Sequence, residues 1–351
     1  MKLFTLGPVE MEQDIVAIGS EKLPYFRTSD FSGIMKKINI SLNKLLKTSP
    51  ASKLAILTAS GTAAMEAAVI NMFNNNDRLI IINGGTFGNR FVEICDIYGI
   101  PYDEIQVPFG ETFDISLLKE LELSAYSGLL INIHETSTGQ LYPIKEITEY
   151  CKKYNIYVVC DAISSFLVDP YEMDNFNIDV TILSSQKSLA LPPGLSFVVM
   201  NEDAYNHVCS NKKKKMYYLN LVNYFSDMDR GQTPYTPAVG IILQLERKLE
   251  NIERIGLEKY LAGIEELSSY FRAKLASETI EIPNYPLSNA LTPLIFKENN
   301  ARDVFNNLIK EQEIYLTPSG GELRQKLLRV GHLGALNTDD YDSLIDFLNK
   351  I

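Results

Sequence analysis

Short apolar runs alternate with longer stretches of helical periodicity through the first two thirds of the chain. We predict strands at the apolar runs 54–57, 79–82, 106–107, 128–133, 156–160, 180–183 and 196–200. We predict helices around them at 34–46, 63–73, 90–98, 115–123 and 144–154. Strands this continuously apolar are buried on both faces, as in parallel sheets that helices cover. The pattern therefore predicts an α/β fold with a mainly parallel sheet flanked by helices.

The pattern changes near Thr236, where longer and more charged helical stretches replace the regular alternation. Helices are predicted at 238–255, 257–276, 301–311 and 339–349, with strands at 291–296 and 327–330. This mixture is typical of a smaller α+β domain. We therefore expect an extended N-terminal arm at 1–19, a large domain at 20–235 and a small C-terminal domain at 236–351.

The charge balance of the chain limits its partners. The 351 residues carry a formal net charge of −11. Binding of phosphate backbones needs a basic face, so nucleic acid is not expected as a partner. The four lysines at 212–215 are expected to form a solvated loop, with a local anion contact as the alternative.

Cysteine and histidine usage points to a cytoplasmic protein without a metal site. None of the four cysteines forms a Cys-x-x-Cys pair, which favours reduced thiols. With three histidines in the chain, no metal centre is expected. No run approaches the roughly 20 apolar residues of a membrane span, so no membrane partner is expected. Gly7 and Pro8 break the N-terminal run too early for a signal peptide.

A lysine, Lys187, stands just beyond the apolar run 180–183, and a Pro-Pro-Gly turn follows it. Most lysines lie on solvated surface, because burial of an unpaired ammonium is costly. Lys187 therefore either extends to solvent from the strand end or supplies an amine for covalent chemistry. A lysine amine forms a Schiff base with an aldehyde cofactor.

Polar residues also follow the other predicted strands, at the sheet edge where open α/β sheets bind ligands. Ser60, Gly61 and Thr62 begin the predicted helix 63–73, where free N–H groups could bind a phosphate or the serine could act as an ordinary N-cap. Phe87 lies between glycines after the run 79–82. Its ring could stack on a flat heteroaromatic ligand or cover the edge of the sheet.

An acidic residue, Asp161, directly follows the apolar run 156–160. Such a carboxylate needs a partner, which could be a protonated pyridine nitrogen or the N–H groups of the next segment. The hydroxyl-rich cluster at 134–139 could likewise contact a ligand or cap the next helix. If Asp161 and Lys187 end neighbouring strands, both can reach one ring. A phosphate site, a stacking aromatic, a carboxylate and an amine together describe a pyridoxal phosphate pocket.

Motifs along nearly the whole chain support this interpretation. They are Thr5-Leu-Gly-Pro8, Ala59-Ser-Gly-Thr-Ala-Ala-Met-Glu66, Asn83-Gly-Gly-Thr-Phe-Gly-Asn-Arg90, His134-Glu-Thr-Ser-Thr-Gly139, Asp161-Ala-Ile-Ser-Ser165, Ser184-Ser-Gln-Lys187, Thr233-Pro-Tyr-Thr-Pro237 and Leu328-Arg-Val-Gly-His332. With these motifs the chain resembles the class V, fold-type I pyridoxal-phosphate aminotransferases. Within them it resembles the branch of serine–pyruvate, alanine–glyoxylate and 2-aminoethylphosphonate–pyruvate aminotransferases.

The resemblance implies that Lys187 binds the cofactor aldehyde and later moves the substrate proton. It implies that Asp161 pairs with the pyridine nitrogen. Phe87 would stack on the ring, where the family often has Trp or Tyr. Ser137 or Thr138 would approach the ring hydroxyl.

The resemblance also implies the contacts of the phosphate and of the substrate. Ser60, Gly61 and Thr62 would hold the phosphate, and Gln186 would lie beside it. Thr236 resembles a threonine that reaches the phosphate across a dimer interface, which implies a homodimer with shared active sites. Arg329 would bind a substrate carboxylate through its planar two-donor fork.

The implied reaction moves an amino group from a small donor to a 2-oxo acid such as pyruvate or glyoxylate. The donor is 2-aminoethylphosphonate, alanine or serine. The motif wording slightly favours the phosphonate, for which Arg27, Arg90 and Arg230 are candidate contacts. Two alternatives remain: a class V cysteine desulfurase or lyase, with Cys209 as the candidate thiol, and a cofactor-binding regulatory module without catalysis.

Overall fold

The computed structural model of the protein describes residues 1–210 and 216–351, so the loop predicted for the four lysines lies outside the described residues. The strands, in chain order, are β1 (Lys2–Phe4), β2 (Lys53–Leu57), β3 (Leu79–Asn83), β4 (Tyr102–Gln106), β5 (Gly128–Asn132), β6 (His134–Glu135), β7 (Gln140–Leu141), β8 (Tyr157–Asp161), β9 (Val180–Ser184), β10 (Ser196–Met200), β11 (Ile280–Glu281), β12 (Leu291–Phe296), β13 (Ile314–Pro318) and β14 (Leu327–Gly331).

The α-helices, in chain order, are α1 (Gln13–Ile18), α2 (Ser29–Leu45), α3 (Gly61–Met72), α4 (Thr86–Tyr98), α5 (Ser116–Lys119), α6 (Ile144–Lys152), α7 (Glu202–Ser210), α8 (Leu221–Asp229), α9 (Val239–Ile255), α10 (Leu257–Lys274), α11 (Ala301–Gln312) and α12 (Asp339–Leu348). Among the described residues, no helix combines the length and the apolar composition that a bilayer crossing requires.

The predicted strands of the first two thirds form one seven-stranded sheet in the order β2-β10-β9-β8-β5-β3-β4. The neighbours from β9 to β4 pair in parallel, whereas β10 is antiparallel to both of its neighbours. Successive residues of one strand alternate between two apolar layers: Leu79 and Ile81 belong to one cluster, Ile80 and Ile82 to the other. The mainly parallel sheet with helices on both faces is confirmed.

A second sheet contains the C-terminal strands in the order β1-β13-β14-β12-β11. Its N-terminal member β1 pairs in parallel with β13, and Phe4 is buried in the core of this sheet. The arm predicted as extended therefore contains a strand of the second sheet and the helix α1. The division into segments at 1–19, 20–235 and 236–351 stays a prediction.

Several elements differ from the sequence prediction. The helix predicted at 115–123 is only the short α5, followed by a 3₁₀ turn at Leu123–Ala125. The helices α7 and α8 and the strands β11 and β13 were not predicted. Strand β4 begins at Tyr102, earlier than the predicted 106–107. The prediction missed this part because the strand lies at an edge of the sheet and contains the charged residues Asp103 and Glu104, which interrupt the apolar pattern.

Candidate active site

A cleft of about 930 Å³ opens where the strands of the large sheet end. Its wall comes from both sheets and from the N-terminal arm. The lining residues include Leu6, Gly7, Asn83, Phe87, Gln106, Phe109, Thr136, Ser137, Thr138, Lys187, Thr317, Ser319, Gly320 and Arg329. The structure thus brings five of the predicted site residues to one cavity: Phe87, Ser137, Thr138, Lys187 and Arg329.

The side chain of Lys187 is buried in this cleft, with 9% of its surface exposed, and does not extend to bulk solvent. Its Nζ lies 3.3 Å from Thr136 Oγ1 and 4.5 Å from the ring centroid of Phe87. Burial lowers the pKa of Lys187 to about 8, although the nearby carboxylates of Asp161 and Glu135 act in the opposite direction. A minor fraction of this amine is therefore uncharged at pH 7, and about half is uncharged near pH 8.

Asp161 ends β8 next to β9, the strand that leads to Lys187. Burial raises the pKa of Asp161, and the positive charge of Lys187 opposes that shift. Its Oδ1 accepts a hydrogen bond of 2.8 Å from the backbone N–H of Ile163. Within residues 1–210 and 216–351, no hydrogen bond reaches Oδ2. One oxygen therefore holds the following turn, and the other can accept a hydrogen bond from a ligand.

The residues predicted to hold a phosphate lie beside the ends of β8 and β9. Helix α3 begins at Gly61, and its N-cap Ser60 makes no side-chain cap hydrogen bond. A Cβ atom on Gly61 would lie 2.6 Å from Ile163 Cδ1 and 3.3 Å from Ser184 Cβ, so the helix start packs closely against the ends of β8 and β9. The side chain of Gln186 accepts a hydrogen bond from Ser184 Oγ at the end of β9. The helix start is therefore next to Ser184 at the end of β9 but outside the residues that line the cleft.

Arg329 reaches the cleft from β14 of the second sheet and is 8% exposed. Its Nη1 and Nη2 donate to the carbonyl oxygens of Thr136 (2.9 Å) and Pro318 (2.8 Å). Its buried Nε has no hydrogen-bond partner among the described residues. Burial lowers the pKa of Arg329 to about 10, which leaves it cationic at neutral pH. Two backbone contacts fix the guanidinium, and Nη1 and Nη2 each keep one further N–H that can bind an anion.

Proteins of known family are similar to this chain over most of its length. The family model described as aminotransferase class-V matches residues 25–330. The chain belongs to the class V aminotransferases. It is 30% identical to an uncharacterized aminotransferase of Methanocaldococcus jannaschii, over 93% of this chain and 86% of the relative. It is 25% identical to the alanine–glyoxylate aminotransferase of Mus musculus, over 98% of this chain and 86% of the relative.

The solved structures agree with this assignment. The alanine–glyoxylate aminotransferase of Nostoc sp. superposes with a TM-score of 0.91 at 25% identity, covering 99% of this chain and 94% of that chain. The prediction of a class V aminotransferase with the fold-type I architecture is confirmed. The roles of the individual residues stay predictions.

Three other predicted residues, Thr236, Arg27 and Arg230, are not among the residues that line the cleft of this aminotransferase. Thr236 is exposed between α8 and α9. Arg27 is hydrogen-bonded to Gln232 Oε1 and Thr233 O, and Arg230 pairs with Asp227. Arg90 lies closer, with its Cζ 5.1 Å from the ring centroid of Phe87. Of the three arginines considered for a phosphonate, Arg90 is thus the one beside the predicted ring-stacking residue.

Besides Thr136, whose hydroxyl lies 3.3 Å from Lys187 Nζ, sequence reasoning missed a second buried residue of the site, Glu135. It is fully buried, and its carboxylate accepts hydrogen bonds from the start of α4 and from Ser137. In the sequence Glu135 is one polar residue within the hydroxyl-rich cluster 134–139, and nothing in the cluster distinguishes its carboxylate from the neighbouring hydroxyl groups. The sequence predicts the start of this helix at residue 90, whereas α4 begins at Thr86, so nothing in the sequence marked Gly85 as an N-cap that needs an outside acceptor.

Proposed function

We propose that the protein is a pyridoxal-phosphate-dependent aminotransferase that moves an amino group from a small donor to a 2-oxo acid, with Lys187 as the attachment point of the cofactor. The observation that carries this proposal is a buried lysine with a lowered pKa beside a buried aspartate with a free oxygen. Perturbed groups of this kind, together in a cleft, are typical of catalytic sites.

The residues present fit the cofactor. The orphan N–H groups and positive dipole of α3 suit the phosphate. The unused Oδ2 of Asp161 suits a protonated ring nitrogen. The ring of Phe87 offers a flat face beside Lys187. A cleft of about 930 Å³ has room for the cofactor and a small substrate.

Pyridoxal phosphate, when bound, supplies an aldehyde that takes up the amino group and a ring that absorbs negative charge from the substrate carbon. Lys187 Nζ, uncharged in part at neutral pH, accepts the proton from that carbon and returns it later. Asp161 would hold a proton on the ring nitrogen, which would strengthen the ring as an electron acceptor. Phe87 and Ser137 would orient the ring, and Ser60, Gly61, Thr62 and Gln186 would hold the phosphate. Thr138 is the second candidate for the ring hydroxyl.

Arg329 determines the substrate class. Its free N–H groups bind the carboxylate of the amino donor or of the 2-oxo acid, which is pyruvate or glyoxylate. The relatives that are named alanine–glyoxylate aminotransferases favour alanine as donor, with serine as another small carboxylate donor. The donor 2-aminoethylphosphonate remains the second candidate, with Arg90 as its cationic contact.

We further propose a homodimer in the cytoplasm. Exposed apolar side chains lie against the neighbours of Thr236 in the chain: Tyr217 is 82% exposed and Leu23 is 55% exposed. Tyr235, next to Thr236, donates a hydrogen bond to Tyr217 O, and Leu23 lies beside Gly240. An apolar surface of this kind suits a partner subunit, from which Thr236 would reach the second phosphate site. The four cysteines are free, which suits a reducing compartment.

The experiment for the attachment point is the substitution Lys187→Ala. We expect loss of turnover and of the absorbance band of the lysine-bound cofactor, while Lys37→Ala, which changes an exposed lysine, keeps both. Turnover and an unchanged band in Lys187→Ala would refute the proposal. Incubation with cysteine tests the desulfurase alternative, since strong sulfide release that is lost in Cys209→Ser would favour it. A cofactor band without turnover on any donor would favour the regulatory module.

A further inference from the structure

Helix α4 begins without a capping side chain of its own. Its N-cap is Gly85, so the first N–H groups of the helix need acceptors from elsewhere. A Cβ atom on Gly85 would lie 2.9 Å from the carboxyl carbon Cδ of Glu135. Glycine at this position therefore lets another segment of the chain come against the helix start.

That segment is 135–137, and it accepts hydrogen bonds from three successive N–H groups of α4. Thr86 N–H donates to Ser137 Oγ at 3.2 Å. Phe87 N–H donates to Glu135 Oε1 at 3.4 Å, and Gly88 N–H donates to Oε2 at 3.0 Å. The carboxylate thus lies at the positive end of the helix dipole, where a negative charge is stabilised.

Glu135 is fully buried, and among the described residues it takes part in no ion pair. Asn132 Nδ2 donates to Oε2 at 2.9 Å, and the backbone N–H of Ser137 donates to Oε1 at 3.0 Å. The hydroxyl of Ser137 donates to Oε1 at 2.5 Å. Helix dipole and hydrogen bonds together therefore stabilise a charge that would otherwise be costly to bury.

The groups that Glu135 fixes are groups of the proposed cofactor site. Phe87 carries the ring beside Lys187, and Ser137 lines the same cleft. Since the Ser137 hydroxyl donates to Glu135 and its oxygen accepts from Thr86, Ser137 can offer a ligand only an acceptor lone pair. A ligand group that it binds must carry a hydrogen.

We propose that Glu135 is a positioning residue, whose carboxylate caps α4 from outside the helix and so fixes Phe87 and Ser137 against Lys187. The statement that this cap positions cofactor-binding groups rests on the proposed function. The cap itself is a property of the protein without cofactor, so its test does not depend on transamination.

The chain contains no tryptophan, so Phe87→Trp introduces a single fluorescent reporter at the position in question. Glu135→Gln keeps the shape of the side chain and removes its charge and one acceptor oxygen. The matched control is Asp179→Asn, because Asp179 is also buried and accepts from a backbone N–H and an amide, those of Val158 and Asn201. All variants are compared without cofactor in the Phe87→Trp background.

We expect Glu135→Gln to raise the acrylamide quenching constant of the tryptophan at least twofold and to lower its anisotropy, whereas Asp179→Asn changes neither. Equal quenching with and without Glu135→Gln, or equal changes in both variants, would overturn the proposal. In the protein with Phe87 retained, Glu135→Gln should also shift the pH midpoint of pyridoxal phosphate capture to lower pH. The reason is that loss of the negative charge lowers the pKa of Lys187.

A measurement on the unmodified chain without bound cofactor covers the case in which Glu135→Gln does not fold. Hydrogen exchange should show the amides of Phe87 and Gly88 protected, unlike the first-turn amides of α3 at Gly61 and Thr62, where the N-cap makes no side-chain bond. Exchange of Phe87 and Gly88 as fast as that of Gly61 and Thr62 would contradict the cap. If the cap is observed but pyridoxal phosphate does not bind, the proposed function fails and the cap stands.

Discussion

The substitution Arg329→Lys tests the carboxylate site most sharply. The guanidinium is held by the carbonyl oxygens of Thr136 and Pro318 at 2.9 and 2.8 Å, and its other N–H groups are free. An ammonium keeps the positive charge but presents a single nitrogen. It can therefore take over at most part of the backbone contacts and cannot bind a carboxylate through two parallel hydrogen bonds.

The expected loss follows from this geometry. One charge-assisted hydrogen bond contributes about 1.5–3 kcal/mol, so loss of one of two bonds to the carboxylate costs about 2 kcal/mol. This corresponds to a rise of about 30-fold in the dissociation constant of a carboxylate substrate. Because the charge is kept, the pH midpoint set by the pKa of Lys187 should change little.

The assay is the first half-reaction, in which an amino donor converts the bound cofactor to its amine form, followed by absorbance. Alanine and serine should need about 30-fold higher concentrations in Arg329→Lys than in the parent. Arg230→Lys, which changes an exposed arginine paired with Asp227, is the matched control. The donor 2-aminoethylphosphonate lacks a carboxylate and reports on Arg90 instead. A change below threefold for alanine would refute the assignment of Arg329 to the carboxylate.

Two further predictions concern pH. Capture of pyridoxal phosphate by the protein should speed up with rising pH through a midpoint near 8, because burial lowers the pKa of Lys187 to about 8 and the uncharged amine is the nucleophile. Stopped-flow absorbance measures the capture rate. A midpoint near 10.5 would contradict the effect of burial on this pKa. Burial raises the pKa of Asp169 from 3.8 to about 6, so the stability that its protonated form contributes is present below pH 4 and is lost as the pH rises through 6. Urea unfolding of Asp169→Asn should show a stability gain over the parent that grows by about 3 kcal/mol from pH 4 to 7, and a constant difference would contradict it.

The large sheet and the reactive pair were predictable because their signals are local. Continuous apolar runs mark strands that are buried on both faces, and polar residues directly after them mark the ligand edge of the sheet. Asp161 and Lys187 follow adjacent parallel strands, so their proximity came from the order of elements along the chain.

The features that sequence reasoning missed depend on contacts between distant segments. Strand β1 is three residues long, and its partner β13 lies at the other end of the chain, so no periodicity signals the pairing. Glu135 acts on a helix start some fifty residues earlier, and its role depends on the fold of both segments. The short α5 is a case in which a local pattern was present but the full element did not form. The sequence at 115–123 has helical periodicity, yet the α-helix covers only Ser116–Lys119, where Leu118 is the buried residue.

The role of Lys187 can be measured without any assumption about the substrate. Purified protein is loaded with pyridoxal phosphate, reduced with borohydride, digested and mapped by mass spectrometry, which locates the lysine that carries the cofactor. We predict one stoichiometric pyridoxyl group per chain, on Lys187. Labelling of a different lysine, or scattered labelling of exposed lysines with Lys187 unmodified, would contradict the proposed chemistry of the site.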